Sequence, residues 1–265
     1  MSLNAYLDRI GYDGPLAPTA ETLRALHLAH LYAVPFENLD IGRGRRLSLA
    51  LPDLFDKIVT RRRGGFCYEL NGLFGWLLLS LGYEVTHLSA RVYGGDGGLG
   101  LEFDHLALRV MCPAGHAAGD EAGPWLADVG FGDSFVEPLR LEPGRPQPQG
   151  ARTFGLDAPG APGQAWTYWM QEAGGAAERQ YVFSLQPRAF PADFEPMCVY
   201  QQTAPESHFT QHRTCSLATP AGRITLSDQR YLVTEHGQKR ETAIDDEAFQ
   251  QLLKTDFGVD LDRAA

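Results

Sequence analysis

The sequence predicts an α+β protein in which helices, then strands, then a mixed segment follow one another along the chain. Three observations carry this. Apolar residues recur every three or four positions through about the first 88 residues, the spacing of amphipathic helices. From about 84 to 190 the period changes to two, the spacing of strands with one buried face. From about 191 onward short strand-like runs precede one amphipathic helix. Several short strands in succession suit an antiparallel barrel or a sandwich. The expected division is a helical part at 1–88, a strand-rich part at 89–190 and an α/β part at 191–265.

The helical part reads as follows. Leu3, Tyr6, Leu7 and Ile10 mark a short amphipathic helix ending at Gly11, and Asp13-Gly14-Pro15 is a turn. Thr19 is a plausible N-cap for Ala20–Tyr32, with Leu23, Leu26 and His30 along one face, and Pro35 ends that helix. Pro35-Phe36-Glu37-Asn38-Leu39-Asp40-Ile41 is apolar enough to pack yet carries Glu37. A buried carboxylate needs a partner, and Arg63 is the candidate. Pro52–Ile58 starts another helix. It feeds Arg61-Arg62-Arg63-Gly64-Gly65-Phe66-Cys67, a turn with a cysteine directly behind it. Leu70, Leu73, Phe74, Leu77, Leu78 and Leu81 then form a helical stripe that stops at Gly82, a left-handed C-cap position.

In the strand-rich part, Val85–Tyr93 is the first strand and Gly94–Gly98 a flexible connection. In Asp104–Val110, Leu106, Leu108 and Val110 share one face, and His105, Ala107 and Arg109 the other. Pro124–Gly132 is a strand running into a glycine-flanked turn. Residues 143–164, rich in Pro, Gly and Gln, read as a loop. Trp166–Met170 and Tyr181–Leu185 read as strands, and so do Phe209–Ser216, Arg223–Leu226 and Tyr231–Thr234 further on. Asp245–Phe257, with Phe249, Leu252, Leu253 and Phe257 on one side, is the closing helix.

Composition excludes several functional classes. The 265 residues are 44% hydrophobic and 21% charged, as in globular proteins, with a net charge of −10. That charge argues against nucleic acid, and against an anionic membrane bound by overall electrostatics. No apolar run is long enough to span a bilayer. Met1–Tyr6 lacks the basic and apolar regions of a signal peptide, so a cytoplasmic location is expected. Four cysteines, Cys67, Cys112, Cys198 and Cys215, are too few for a disulfide scaffold, and free thiols are expected. Cys112 and His116 are four apart, but the turn-like Pro113-Ala114-Gly115 between them and the lack of a second ligand pair leave no metal site.

Cys67 stands where a helix begins. Unpaired N–H groups and the helix dipole favour negative charge there, so its thiol is expected to ionise readily. Gly64 and Gly65 would let a ligand approach the backbone. Covalent chemistry needs a base and a group to orient it, and His105 and Asp128 are the candidates. Spacing alone does not single out this trio. His30 or His87 with other carboxylates could be assembled as well, and a lone cysteine near a helix is often a small core residue.

A resemblance selects among these readings. Arg63–Asn71, Pro35–Ile41, Asp104-His105-Leu106 and Asp128–Gly132 resemble, in this order, the motifs of the arylamine N-acetyltransferases. Tyr200–Thr203 and Ser207–Ser216 resemble a further segment of that family. The resemblance implies an N-terminal helical bundle, a central antiparallel β-barrel and a C-terminal α/β lid, with a cysteine-protease-like core of Cys67, His105 and Asp128. It also implies acetyl-CoA as donor, an acetyl-Cys67 intermediate in a ping-pong route, and arylamines, arylhydrazines or N-hydroxyarylamines as acceptors. Phe36, Val92, Phe131 and Phe209 are candidates for the acceptor's apolar lining, with ordinary core packing as the alternative. Gly130, Ser207, His208 and Thr210 are candidates for contact with CoA. Other readings of the trio are a cysteine hydrolase or transglutaminase-like enzyme, an amide-forming acyltransferase of a biosynthetic pathway, and a non-catalytic binding protein. No metal is expected, and the chain would act as a monomer or homodimer.

Overall fold

The computed structural model describes residues 1–113, 121–161 and 164–262. Helix α1 spans Leu3–Ile10, and Gly11 closes it at φ 65°. Helix α2 spans Ala20–Ala33 and is capped as expected, the Thr19 hydroxyl accepting from the Thr22 N–H at 3.1 Å. A two-residue strand, β1 (Phe36–Glu37), and a single turn, α3 (Leu39–Gly42), lead to α4 (Leu51–Phe55), which runs into a π-helical turn at Asp56–Thr60. Helix α5, Cys67–Ser80, is the centre of the helical part. Leu70, Leu73, Phe74, Leu77 and Leu78 are all fully buried, and Gly82 follows at φ 92°.

The strand-rich part comprises β2 (Glu84–Val92), β3 (His105–Cys112), β4 (Gly123–Ala127), β5 (Leu139–Arg140), β6 (Gln147–Gln149), β7 (Arg152–Asp157), β8 (Trp166–Glu172) and β9 (Ala177–Phe183). They form one eight-stranded sheet in the order β5-β4-β3-β2-β9-β8-β7-β6, antiparallel at every pairing. The two edges meet through glutamine side chains. Gln147 bonds both the N–H (2.7 Å) and the carbonyl (3.0 Å) of Arg140, and Gln149 does the same for Glu137, at 3.0 and 2.8 Å. The sheet is thereby a nearly closed barrel. The expected loop at 143–164 is corrected by this: it contains β6 and β7. Its glutamines act as edge fasteners, and Phe154 and Leu156 alternate into the barrel core.

The alternation in β3 orients everything that follows. Leu106, Leu108 and Val110 pack in the same core as α5, while Ala107 faces the barrel interior with Leu88, Ala90 and Phe183. His105, in phase with Ala107, therefore points into the barrel mouth beside Tyr181 and Phe131.

The C-terminal part contains α6 (Glu195–Thr203), α7 (His208–Gln211), β10 (Thr214–Thr219), β11 (Gly222–Ser227), β12 (Arg230–Glu235), β13 (Gln238–Ala243) and α8 (Asp246–Thr255). The expected strand at Phe209–Ser216 is corrected to a short helix followed by a strand. Ser207 caps the helix, its hydroxyl accepting from the Phe209 N–H. The second sheet runs β1-β10-β11-β12-β13, so the first strand of the chain belongs to a C-terminal sheet. Phe36 pairs with Ser216 and Glu37 with Cys215. Phe249 and Leu253 of α8 are buried against this sheet. The mixed helix and sheet content is that of an α+β fold. Among the described residues no helix is long and apolar enough to cross a membrane. His116 lies outside the described residues, as do residues 162–163 of the expected loop.

Candidate active site

The segment before Cys67 is held rigidly from beneath. The Glu37 N–H donates to the Gly65 carbonyl at 2.8 Å, tying β1 to the glycine turn. A side chain on Gly64 would fall against the Pro35 carbonyl oxygen and 2.9 Å from Glu37 Cγ, and one on Gly65 would come within 2.7 Å of Glu69 Cβ. The expected reason for these glycines is therefore corrected: the close approach they permit is that of the protein's own backbone and cap. Glu69 closes the helix start by accepting from the Phe66 N–H at 3.1 Å. Arg9, buried on α1, donates to the carbonyls of Ala33, Ile58, Arg62 and Arg63 and clamps the same turn.

Beneath the turn lies a buried ion cluster. Arg63 donates to Glu37 Oε1 through Nε (3.0 Å) and Nη2 (2.8 Å), the pairing expected from the sequence, and to Asp40 Oδ1 at 3.2 Å. Lys57, on the π-helical turn, adds contacts to Glu69 (2.8 Å) and Asp40 (3.4 Å). Burial alone would lower the Lys57 ammonium, but Glu37, Glu69 and Asp40 outweigh it and raise the group. Burial would likewise raise Asp40, and Lys57 and Arg63 hold it below the usual carboxylate range. Glu69 is pushed up, because burial exceeds what Lys57 returns.

The second half of the site is the turn after β4. Asp128 is buried, and each of its oxygens receives two donors. Oδ2 accepts from His105 Nε2 (2.7 Å) and the Tyr181 hydroxyl (3.1 Å), and Oδ1 accepts from Asn71 Nδ2 (2.8 Å) and the Gly130 N–H (3.0 Å). Burial would raise this carboxyl, but His105, Asn71 and the Gly130 N–H hold it low. The Asp128 N–H donates to His27 Nε2 at 3.1 Å, so His27 Nδ1 carries the proton and donates to the Val136 carbonyl at 2.8 Å. Asn71 also bonds the Leu106 carbonyl (2.6 Å) and the Val129 N–H (2.9 Å), joining α5 to β3 and to the turn after β4.

Cys67, at the first position of α5, is buried and shares with His105 a cleft of about 460 Å³. Because His105 gives Nε2–H to Asp128, its Nδ1 holds the lone pair. Burial opposes the ready ionisation expected for Cys67 from its place at a helix start. Burial pushes the thiol well up, Asp104 and Asp128 add to this, and the Leu106 N–H draws it down only in part. A helix start does not by itself yield a thiolate here; deprotonation needs a base.

The cleft is lined by Phe36, Val92, Phe131 and Phe209, the expected apolar set, and by Gly130, Ser207 and His208 from the expected CoA set. Two of these are already committed. A side chain at Gly130 would lie 2.8 Å from Cys67 Cα, so this glycine serves the contact between the turn and α5. The Ser207 hydroxyl donates to Gln201 Oε1 at 2.6 Å. Thr210 is not brought to the cleft; its hydroxyl donates to the carbonyls of Ala204 and Ser207, both at 2.8 Å. Sequence reasoning missed Asp104, Gln201 and Glu206 in the lining, and Tyr181, His27 and Asn71 behind Asp128. Readable signals existed for Asn71, which is four residues after Cys67 on the same helix face, and for Asp104 and Gln201, which stand inside motifs that carry the resemblance. A groove of about 470 Å³ between Arg46–Leu49 and α6 contains Cys198 and Glu195 but no histidine, so it offers no Cys–His pair. Among the described residues no cluster of three His, Cys, Asp or Glu is arranged to hold a metal.

Comparison with known proteins adds an independent line. A profile described as N-acetyltransferase matches residues 19–265. The chain is 32% identical, over 99% of its length and 96% of the relative's, to the pineal gland isozyme NAT-10 of arylamine N-acetyltransferase from Gallus gallus. It is 35% identical, over 98% and 93%, to the arylamine N-acetyltransferase of Mycolicibacterium smegmatis. Among solved structures it resembles Mycobacterium marinum arylamine N-acetyltransferase in complex with CoA, with a TM-score of 0.87, 34% identity, and coverage of 97% of this chain and 93% of that one.

Proposed function

The chain belongs to the arylamine N-acetyltransferase family, and from that premise we propose that it moves acetyl groups from acetyl-CoA to small aromatic amines, arylhydrazines or N-hydroxyarylamines through a thioester on Cys67. The CoA bound by the Mycobacterium marinum relative supports the choice of donor. The observation that carries the reading is the His105 Nε2 to Asp128 Oδ2 contact of 2.7 Å at the edge of the cleft that holds Cys67.

The steps follow from the atoms. His105 Nδ1 takes the Cys67 proton as the sulfur attacks the acetyl carbonyl, which offsets the burial that holds the thiol neutral. The resulting imidazolium faces Asp128, whose four donors keep it an acceptor. The tetrahedral intermediate collapses with loss of the bond to CoA sulfur, and the imidazolium proton leaves with CoA. An acceptor nitrogen, or the oxygen of an N-hydroxyarylamine, then attacks the acetyl-cysteine carbonyl. It gives its proton to Nδ1, the carbon–sulfur bond breaks, and the Cys67 sulfur recovers the proton. Phe36, Val92, Phe131 and Phe209 offer ring faces and apolar surface to a flat acceptor.

The division into 1–88, 89–190 and 191–265 belongs to the same proposal: the first part supplies the nucleophile, the second the base and its orienter, and the third a cover over the cleft. A cytosolic location is part of it too. The test is initial rate against acetyl-CoA at several fixed arylamine concentrations. Parallel double-reciprocal lines are expected; intersecting lines would contradict the acetyl-enzyme route.

A further inference from the structure

Asp104 is a carboxylate beside the thiol that the proposed chemistry does not use. It lines the cleft with Cys67 and His105 and is half-buried. It is held in place and cannot swing freely. Oδ1 accepts from Gln201 Nε2 at 2.7 Å, and Gln201 Oε1 accepts from the Ser207 hydroxyl at 2.6 Å. Both ends of the Gln201 amide are thus used, and its orientation is fixed. Next to Oδ2 stands Gly100, where any side chain would collide with the carboxylate. Burial raises the Cys67 thiol, and the Asp104 carboxylate raises it further.

Burial raises the Asp104 carboxyl, and His105 and Arg91 offset this only in part. Among the described residues lining the cleft none is Lys or Arg, and the other acidic group, Glu206, adds to the negative field. Asp128 stands behind His105, and burial lowers His208, which leaves it neutral. Arg91 is outside the lining and donates its Nε to the Gly100 carbonyl at 2.8 Å, so its charge reaches Asp104 from behind the cleft wall.

Resting on the acetyl-transfer reading above, we propose that Asp104 is a specificity determinant of this cleft. It favours acceptors that present an N–H or cationic group to its carboxylate and disfavours acceptors that carry a carboxylate of their own. In a partly dry cleft one unit charge at this range alters binding of a charged group by about tenfold.

The experiment compares three para-substituted anilines with acetyl-CoA: 4-aminobenzoate (anionic), 4-aminobenzamide (neutral) and 4-(aminomethyl)aniline (cationic). The variants are Asp104→Asn, whose amide oxygen still accepts from Gln201, and Asp104→Ser. Removing the charge should raise the anion-to-neutral ratio of kcat/KM about tenfold and lower the cation-to-neutral ratio. A second measurement needs no acyl donor: Cys67 alkylation by iodoacetate relative to iodoacetamide should speed up by a similar factor in Asp104→Asn. Acetylation with both substrate ratios unchanged within about twofold overturns the selectivity role. Failure of the wild type to acetylate any of the three anilines overturns instead the reading it rests on, and the alkylation ratio separates the two cases.

Discussion

His105 Nε2 lies 2.7 Å from Asp128 Oδ2, and this contact decides that the other imidazole nitrogen, Nδ1, carries the lone pair. Asp128→Asn reverses it. With its oxygen kept toward Asn71 and the Gly130 N–H, the new amide turns its NH2 to His105 and forces the proton onto Nδ1. The fold should persist while turnover falls by roughly 10³–10⁴. Circular dichroism and steady-state rates check this; activity within about tenfold of wild type would remove Asp128 from the orienting role.

Lys57 is the counter-charge of the buried cluster under the glycine turn. Lys57→Met leaves Glu69, 2.8 Å away, without its cation, while Arg63 keeps Glu37 and Asp40. Breaking such a pair should cost about 3–5 kcal/mol of stability in urea unfolding. A loss below about 1 kcal/mol would mean that the cluster behaves like a solvated surface pair.

His27 makes stability depend on pH. Burial lowers it from its usual 6.5 to about 4. Between those values the unfolded chain binds a proton that the folded chain refuses, so stability falls as pH drops from 6.5 towards 4. The slope is about 1.4 kcal/mol per pH unit for each such histidine. His87, also lowered by burial to about 4, adds its share. His27→Gln can still accept from the Asp128 N–H and donate to the Val136 carbonyl. Urea titrations at several pH values should show its slope reduced by the share of one histidine; an unchanged slope would assign the pH dependence elsewhere.

Gly130 touches the backbone of Cys67. A methyl group there would lie 2.8 Å from Cys67 Cα, which is backbone, and 2.7 Å from Asn71 Nδ2, a side-chain end pinned by its bonds to the Leu106 carbonyl and Asp128. Gly130→Ala should cost about 1–3 kcal/mol in stability and slow acetyl transfer by moving Asp128 relative to α5. Wild-type stability and rate would show that the turn yields freely.

The helical part was legible because its signals are local: the α5 stripe, the Thr19 cap and Gly11 all act within a few residues. The facing of β3 was legible from alternation alone. The Gln147 and Gln149 fasteners were not, because a polar strand that closes a barrel through its side chains has the composition of a loop. Nor was α7, where four residues capped by Ser207 follow no period. Glu37 and Arg63 could be paired because a buried carboxylate demands a cation and Arg63 stands beside the glycine turn, whereas Lys57, on the π-helical turn, gave no such signal. At the site, Cys67, His105 and Asp128 were candidates by their chemistry, and the motif resemblance selected them from among other histidines and carboxylates. Tyr181 depends on which strand lies beside β2, and His27 on how α2 packs against the turn after β4, and one sequence states neither.

The measurement that bears most directly on the central claim is the intact mass of the protein after mixing with acetyl-CoA and no acceptor, beside Cys67→Ala. A single acetyl group on the wild type, absent from the variant and discharged on adding an arylamine or hydrazide, is the predicted result. A folded wild type that gains no acetyl group, or a Cys67→Ala protein that gains the same one, would contradict a Cys67 thioester.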